Sequence, residues 1–138
     1  MRIKIGELSK RADCPVQTIR YYEKEGLLPE PDRSDGNYRL YAEAHIERLQ
    51  FIRHCRSLDM SLDDVRALLS YRDTPAEDCG DVNSLLDEHI LAVEARMKEL
   101  TQLKRHLTSL RKKCTRTASA DSCGILQALS DCSCHEAV

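Results

Sequence analysis

Val16-Gln17-Thr18-Ile19-Arg20-Tyr21-Tyr22-Glu23-Lys24-Glu25-Gly26-Leu27-Leu28-Pro29 is the stretch that decides the fold. Ile19 and Tyr22 are three apart, the spacing of neighbours on one helix face, and they point to a core. Thr18, Arg20, Tyr21 and Lys24 fall largely on the other side. Gly26 is a helix stop, because a glycine takes up the left-handed terminating conformation without Cβ strain. Upstream, Ile5, Leu8 and Ala12 share one face of a short helix. Asp13-Cys14-Pro15 is a turn whose proline suits the first turn of the next helix. Two short helices joined by a tight turn predict a helix-turn-helix.

Downstream, Asp35-Gly36-Asn37 is a hairpin turn signal, and Tyr38, Leu40 and Tyr41 favour strand, so residues 31–41 read as a β-wing. A helix over residues 42–56 offers Ile46, Leu49, Phe51 and Ile52 to a core. Ser61-Leu62-Asp63-Asp64 resembles a capping box with Asp in place of Glu and opens a helix to about residue 70. Thr74-Pro75-Ala76 marks the best boundary in the chain. After Gly80, no Pro or further Gly occurs until beyond Lys113. Leu86, Ile90, Val93, Met97, Leu100, Leu103, Leu107 and Leu110 make a near-heptad apolar stripe along this segment. A helix about 50 Å long cannot bury such a stripe by itself. A second copy of the chain is the simplest partner, with an intramolecular bundle as the alternative. Residues 115–122 read as a loop, and 124–129 as one more short helix.

The 138 residues are 41% hydrophobic and 32% charged, with one Phe and no Trp, a mix that leans towards helix and coiled coil. No window is apolar enough to span a membrane and the N-terminus lacks a signal-peptide apolar run, so a cytoplasmic protein is expected. The net charge of −2 hides an asymmetry. Residues 1–58 hold 11 Lys/Arg against 9 Asp/Glu, and residues 59–138 hold 10 against 14. Seven cysteines, an odd number without a secretory signal, argue against a disulfide framework. Any single cysteine reads first as a small buried hydrophobe. On that ground Cys14 and Cys55 are assigned to packing. His89 and His106, on or near the long helix, read as interhelical contacts.

The outward face of the second helix carries chemistry suited to nucleic acid. Arg20 can reach a base edge or a phosphate, and the hydroxyls of Thr18 and Tyr21 suit phosphate oxygens. Val16 and Lys24 lie on the same helix. Arg33, Tyr38 and Arg39 on the wing extend the set to the neighbouring DNA backbone. A solvated helix face with structural tyrosines is the bland alternative.

Thr18-Ile19-Arg20-Tyr21-Tyr22-Glu23, Gly26-Leu27-Leu28-Pro29, Arg33 and Asn37-Tyr38-Arg39-Leu40-Tyr41 together resemble the signature of the MerR family. The likeness continues through Leu58-Asp59-Met60-Ser61-Leu62-Asp63-Asp64-Val65 and covers the chain to about Leu129. It implies a mainly α fold: a winged helix-turn-helix DNA-binding domain, a long antiparallel dimerisation helix, and a short C-terminal metal-binding loop and helix. The expected bounds are 1–74, 75–113 and 114–138. The wing tip, Gly36-Asn37-Tyr38, carries one residue more than the family's glycine-tyrosine and resembles the lead- and cadmium-responsive branch.

Cys79 and Cys114 flank the long helix, about 50 Å apart in one chain, and cannot share an ion there. If two helices pair head to tail, Cys79 of the opposite protomer arrives beside Cys114, and Cys123 returns across the intervening loop. Three sulfurs without a nearby His or carboxylate favour soft ions such as Pb(II), Cd(II), Hg(II) or Cu(I). Structural Zn(II) more often takes four ligands in compact C-x-x-C pairs, which this chain lacks. The resemblance implies that Cys79, Cys114 and Cys123 are the ligands. It puts Pb(II) first, with Cd(II), Zn(II) or Hg(II) as alternatives, and sets aside the copper-type relatives, whose loop is shorter. Cys132, Cys134 and His135 form a candidate second site.

The resemblance further implies a homodimer on double-stranded promoter DNA. On binding metal, such a dimer bends and untwists an overlong spacer so that RNA polymerase engages both promoter elements. Metal-resistance genes are the expected targets. Nothing in the sequence suggests catalysis. A thiol redox sensor and a metal buffer are the rivals from other classes. The first lacks a C-x-x-C, and the second leaves the Arg/Tyr-bearing helix and wing without a role.

Overall fold

A computed structural model of the chain describes residues 1–75, 78–114 and 120–131. The order is α1 (Ile5–Ala12), α2 (Val16–Lys24), β1 (Asp32–Arg33), β2 (Arg39–Leu40), α3 (Glu43–Ser57), α4 (Leu62–Arg72), α5 (Gly80–Arg111), a 3-10 turn (Ala120–Ser122) and α6 (Gly124–Ser130). The fold is mainly helical, as expected. Two compact units divide within α5, Met1–Leu85 and Leu86–Val138. The Cys132, Cys134 and His135 site lies outside the described residues.

The first unit has a core of its own. Leu8 and Ala12 from α1, Ile19 from α2, Leu49 and Ile52 from α3, and Val65 and Leu69 from α4 are buried together with Leu27 and Tyr41. Ile19 and the half-buried Tyr22 face inward, and Gly26 takes φ +74° just past the helix end. Pro15 sits at the N-cap with extended ψ rather than inside α2, so the helix starts one residue later than its proline. Ser61 caps α4 as a capping box. Its Oγ accepts from Asp64 N at 3.1 Å, and its own N–H donates to the Asp64 carboxylate at 3.4 Å. Phe51 is only partly buried and lies under the Arg72 guanidinium at 5.1 Å.

The wing is a two-stranded antiparallel ribbon pairing Asp32 with Leu40 and Arg33 with Arg39. Its turn places Asn37 at φ +65°, a conformation its short polar side chain tolerates. Ser34 N donates to Tyr38 O at 2.8 Å, and Arg33 Nη1 donates to Asn37 O at 3.1 Å. Tyr41 exchanges both backbone hydrogen bonds with Ile3, which ties the base of the wing to the N-terminus.

Helix α5 runs unbroken for 32 residues and buries none of them. Seven of the eight stripe positions, from Leu86 to Leu107, are exposed, and Leu110 is half-buried. Among the described residues, no helix is long and apolar enough to cross a membrane. Within 115–122, expected as a loop, residues 120–122 form the 3-10 turn. A bend this short carries too little periodic signal to be read from sequence.

Candidate nucleic-acid interface and thiol site

Most of the expected DNA-contacting residues divide between two depressions flanking α2. Arg20, Lys24, Arg33 and Arg39 line a single cleft of about 350 Å³ between α2 and the wing, together with the carboxylates Glu23 and Glu30. Helix α2 supplies the first two cations and the ribbon the other two. Its register sets Arg33 directly opposite Arg39. Thr18 and Tyr21 line a separate depression with Gln17 and Arg56. Tyr38 is exposed near the wing tip, with the Lys4 ammonium 4.7 Å from its ring centre. Val16 is half-buried in the first turn of α2. Four guanidinium or ammonium groups along a cleft make an electrostatic track for phosphates.

Gln17, Arg56 and Lys4 were missed in the sequence. Gln17 sits in the motif itself and only needed its helix face counted. Arg56 comes from the last turn of α3, and no local pattern connects it with α2. Its Nη1 donates to Met60 O at 2.7 Å, which holds the turn into α4.

The C-terminal thiols are placed by the junction of α5 and α6. Arg111 Nη1 donates to the Cys114 carbonyl at 2.6 Å and fixes the chain as it leaves the helix. Gly124, the first residue of α6, lies against the Lys113 backbone carbonyl so closely that any Cβ would collide with it. This approach brings the Cys114 and Cys123 side chains into hydrogen-bond contact. Cys123 is the N-cap of α6. Backbone N–H groups of Leu126 and Ile125, and then the Cys114 thiol, hold the Cys123 thiol below its ordinary pKa. The Cys123 thiolate is therefore favoured, the form that binds soft metals. Cys79 is exposed at the residue before α5, where the Asp78 carboxylate caps Gly80 N at 2.8 Å. Among the described residues, no three His, Cys, Asp or Glu side chains converge. Two sulfurs meet, and among the described residues no third donor joins them.

The remaining described thiols behave as core groups. Cys55 is buried and Cys14 is packed against the core, and burial raises both above the ordinary thiol value.

A helix-turn-helix with a cation-lined wing defines a DNA-binding transcription regulator. The model of MerR helix-turn-helix regulatory proteins matches residues 3–72, and the MerR DNA-binding model matches 46–110. The chain belongs to the MerR family, and it is a metal-responsive transcription regulator of that family. It is similar to the solved structure of the transcription regulator PbrR691 from Ralstonia metallidurans CH34 in complex with lead(II). The two are 56% identical with a TM-score of 0.85, over 92% of this chain and 98% of that one. The HTH-type regulator ZntR homologue of Haemophilus influenzae is 45% identical over 80% of this chain and 82% of its own length. ZntR of Escherichia coli K12 is 43% identical over 91% of each.

Proposed function

We propose that this chain is a Pb(II)-responsive activator that binds promoter DNA as a homodimer and switches on metal-resistance genes by distorting that DNA. The observation that carries the reading is the paired Cys114 and Cys123 thiols, which no third donor joins among the described residues. Head-to-tail pairing of two α5 helices through the exposed stripe supplies Cys79 from the opposite protomer. Each dimer then holds two sites of three sulfurs. Three thiolates suit a large soft ion better than structural Zn(II), which takes four ligands. The likeness to the lead-bound PbrR691 structure points the same way. Cd(II), Zn(II) and Hg(II) are the competing ions.

On the DNA side, Arg20, Lys24, Arg33 and Arg39 grip the backbone across their cleft, with Val16, Thr18, Tyr21 and Tyr38 beside them. Bound metal would neutralise the thiolates and lock the end of one protomer's α5 to the start of the other's. A dimer geometry that binds metal better gains population, and the two DNA-binding units move with it. The resulting bend and untwist lets RNA polymerase engage both promoter elements.

The test is a reporter assay with Pb(II), Cd(II), Zn(II) and Hg(II) in competition. Pb(II) is expected to induce at the lowest concentration. Cys79→Ser, Cys114→Ser and Cys123→Ser should each abolish induction and leave DNA affinity unchanged. Co-expressed Cys79→Ser and Cys114→Ser chains should recover part of the response, because one of the two sites in the mixed dimer is intact. Full induction in all three single variants, or no recovery in the mixture, would defeat the shared site. The contact between Cys114 and Cys123 also suits a thiol redox sensor, the second reading. Induction by peroxide without metal would favour it.

A further inference from the structure

We infer that Glu23 is a positioning residue for DNA binding, which sets the wing against helix α2 through Tyr41 without itself touching DNA. The inference rests on the DNA-binding reading above. Glu23 is the one acidic group that α2 turns into the cation-lined cleft. A carboxylate there repels phosphate, so its presence calls for a physical reason. Its side chain is only 13% exposed, and its Oε1 accepts from the Tyr41 hydroxyl at 2.8 Å. Tyr41 is a fixed point. It is fully buried, its backbone is paired both ways with Ile3, and its ring meets that of His45 edge-on at 5.1 Å. His45 is fixed in turn. Its Nδ1 accepts from Ala42 N at 3.0 Å, and its Nε2 lies 3.1 Å from the Pro29 carbonyl oxygen, which the Nε2–H tautomer reaches as a donor. The residue after β2, the start of α3 and the chain leaving α2 are thus joined by hydrogen bonds and one ring contact that end on Glu23.

The second carboxylate oxygen faces the wing. Glu23 Oε2 lies 3.7 Å from Arg39 Nε, and Arg39 is 44% exposed. A half-exposed pair at that distance is weak. It orients the guanidinium in free protein and yields it to a phosphate, whose charge-assisted contact is shorter and stronger. The Tyr41 bond is short and shielded from water, and it persists when DNA binds. One carboxylate therefore both anchors the wing and keeps Arg39 poised.

Three variants of the full chain test this, using a fluorescent duplex enriched from a random-sequence pool by the wild-type protein. The readout is affinity and the slope of log Kd against log salt, which counts phosphate contacts. Tyr41→Phe keeps the ring and removes the donor. Glu23→Ala removes the acceptor. Each should weaken binding several-fold and lower the slope by about 1, as wing contacts are lost. Glu23→Gln keeps an acceptor for Tyr41 and should retain the wild-type slope, with equal or tighter binding because one negative charge leaves the cleft. Thermal melts confirm that each variant is folded at the assay temperature. A general loss of stability would leave the slope of the folded protein unchanged. Wild-type slope and affinity in both Tyr41→Phe and Glu23→Ala would overturn the inference, as would a Glu23→Gln as defective as Glu23→Ala. Failure of the wild-type protein to enrich any duplex would remove the DNA-binding reading and this inference with it.

Discussion

The first 72 residues and the 32 residues of α5 are built on opposite terms. From α1 to α4, each helix buries an apolar face within the same chain, and Leu8, Ile19, Leu49, Ile52 and Val65 are closed off from water. Helix α5 carries an apolar stripe of similar quality and buries nothing. Helices in proteins draw most of their stability from packing an amphipathic face, and α5 leaves its stripe unburied. The contrast separates two tasks. A DNA-binding unit must hold its shape whether or not effector is present, and it does so with its own core. On the proposed reading α5 is a coupling element that responds to a second chain, and its exposed stripe is left for that chain to cover.

The largest expected effect breaks this contrast directly. Leu49→Ala removes a fully buried side chain and should cost about 2–5 kcal/mol of unfolding free energy, whatever the protein concentration. Leu100→Asp alters an exposed stripe residue. Its cost should fall on dimerisation, so its loss relative to wild type should grow with protein concentration, because a dimer's urea midpoint rises with concentration and a dissociated variant's does not. Urea denaturation at two concentrations a hundred-fold apart, with sedimentation to count protomers, distinguishes the two. An equal, concentration-independent loss from Leu100→Asp in a monomer would show that α5 packs within its own chain.

A smaller effect sharpens the comparison at the thiols. Gly124→Ala sets a methyl group onto the Lys113 carbonyl and should push α6 away, parting Cys114 from Cys123. Affinity for Cd(II), followed by thiolate charge-transfer absorbance, should fall about ten-fold or more, the usual cost of disturbing the groups that orient metal ligands. DNA affinity should not move. Gly6→Ala is the control, since its Cβ meets nothing within 4 Å. Unchanged Cd(II) affinity in Gly124→Ala would mean that the close approach does not set the thiol pair.

What the sequence made legible follows from range. The helix-turn-helix rests on spacings of three and four residues and on Gly26. The wing rests on Asp35-Gly36-Asn37, and the α4 start on Ser61 and Asp64. Each signal acts within a few residues, and each survives in the structure. Glu23 was read only as part of a motif, because its partner Tyr41 is 18 residues away and periodicity names a face, not a contact. Gly124 went unnoticed for the same reason, since its role lies in a carbonyl at the end of another helix. Cys114 and Cys123 were paired through family resemblance; spacing across a loop does not by itself bring two sulfurs together. On the proposed reading Cys79 completes its site only from a second chain, a contact between molecules that no local spacing encodes.

The smallest effect lies at the end of α4. Arg48 Nε donates to the Leu27 carbonyl at 2.7 Å, and its two terminal nitrogens reach both oxygens of Asp73, at 3.0 and 3.2 Å. Asp73 is the C-cap of α4, so one guanidinium ties the exit of α2 to the last turn before α5. Hydrogen bonding from Arg48 holds the Asp73 carboxyl below its ordinary pKa of 3.8. A pKa lowered by folding means the unfolded chain binds the proton more tightly. The contribution is therefore fully present above about pH 4 and is lost as pH falls through the folded value. Asp73 is half exposed, so solvent screening limits the worth of the pair to about 1 kcal/mol or less. Asp73→Asn should lower stability by that amount at pH 7 and leave it unchanged near pH 2, so the two acid-denaturation curves converge. Arg48→Met should cost more than Asp73→Asn at pH 7, because it also leaves the Leu27 carbonyl without its donor. If Asp73→Asn instead ran parallel to wild type down to pH 2, the pair would carry no charge-dependent stability. The tie between α2 and α4 would then rest on the Leu27 hydrogen bond alone.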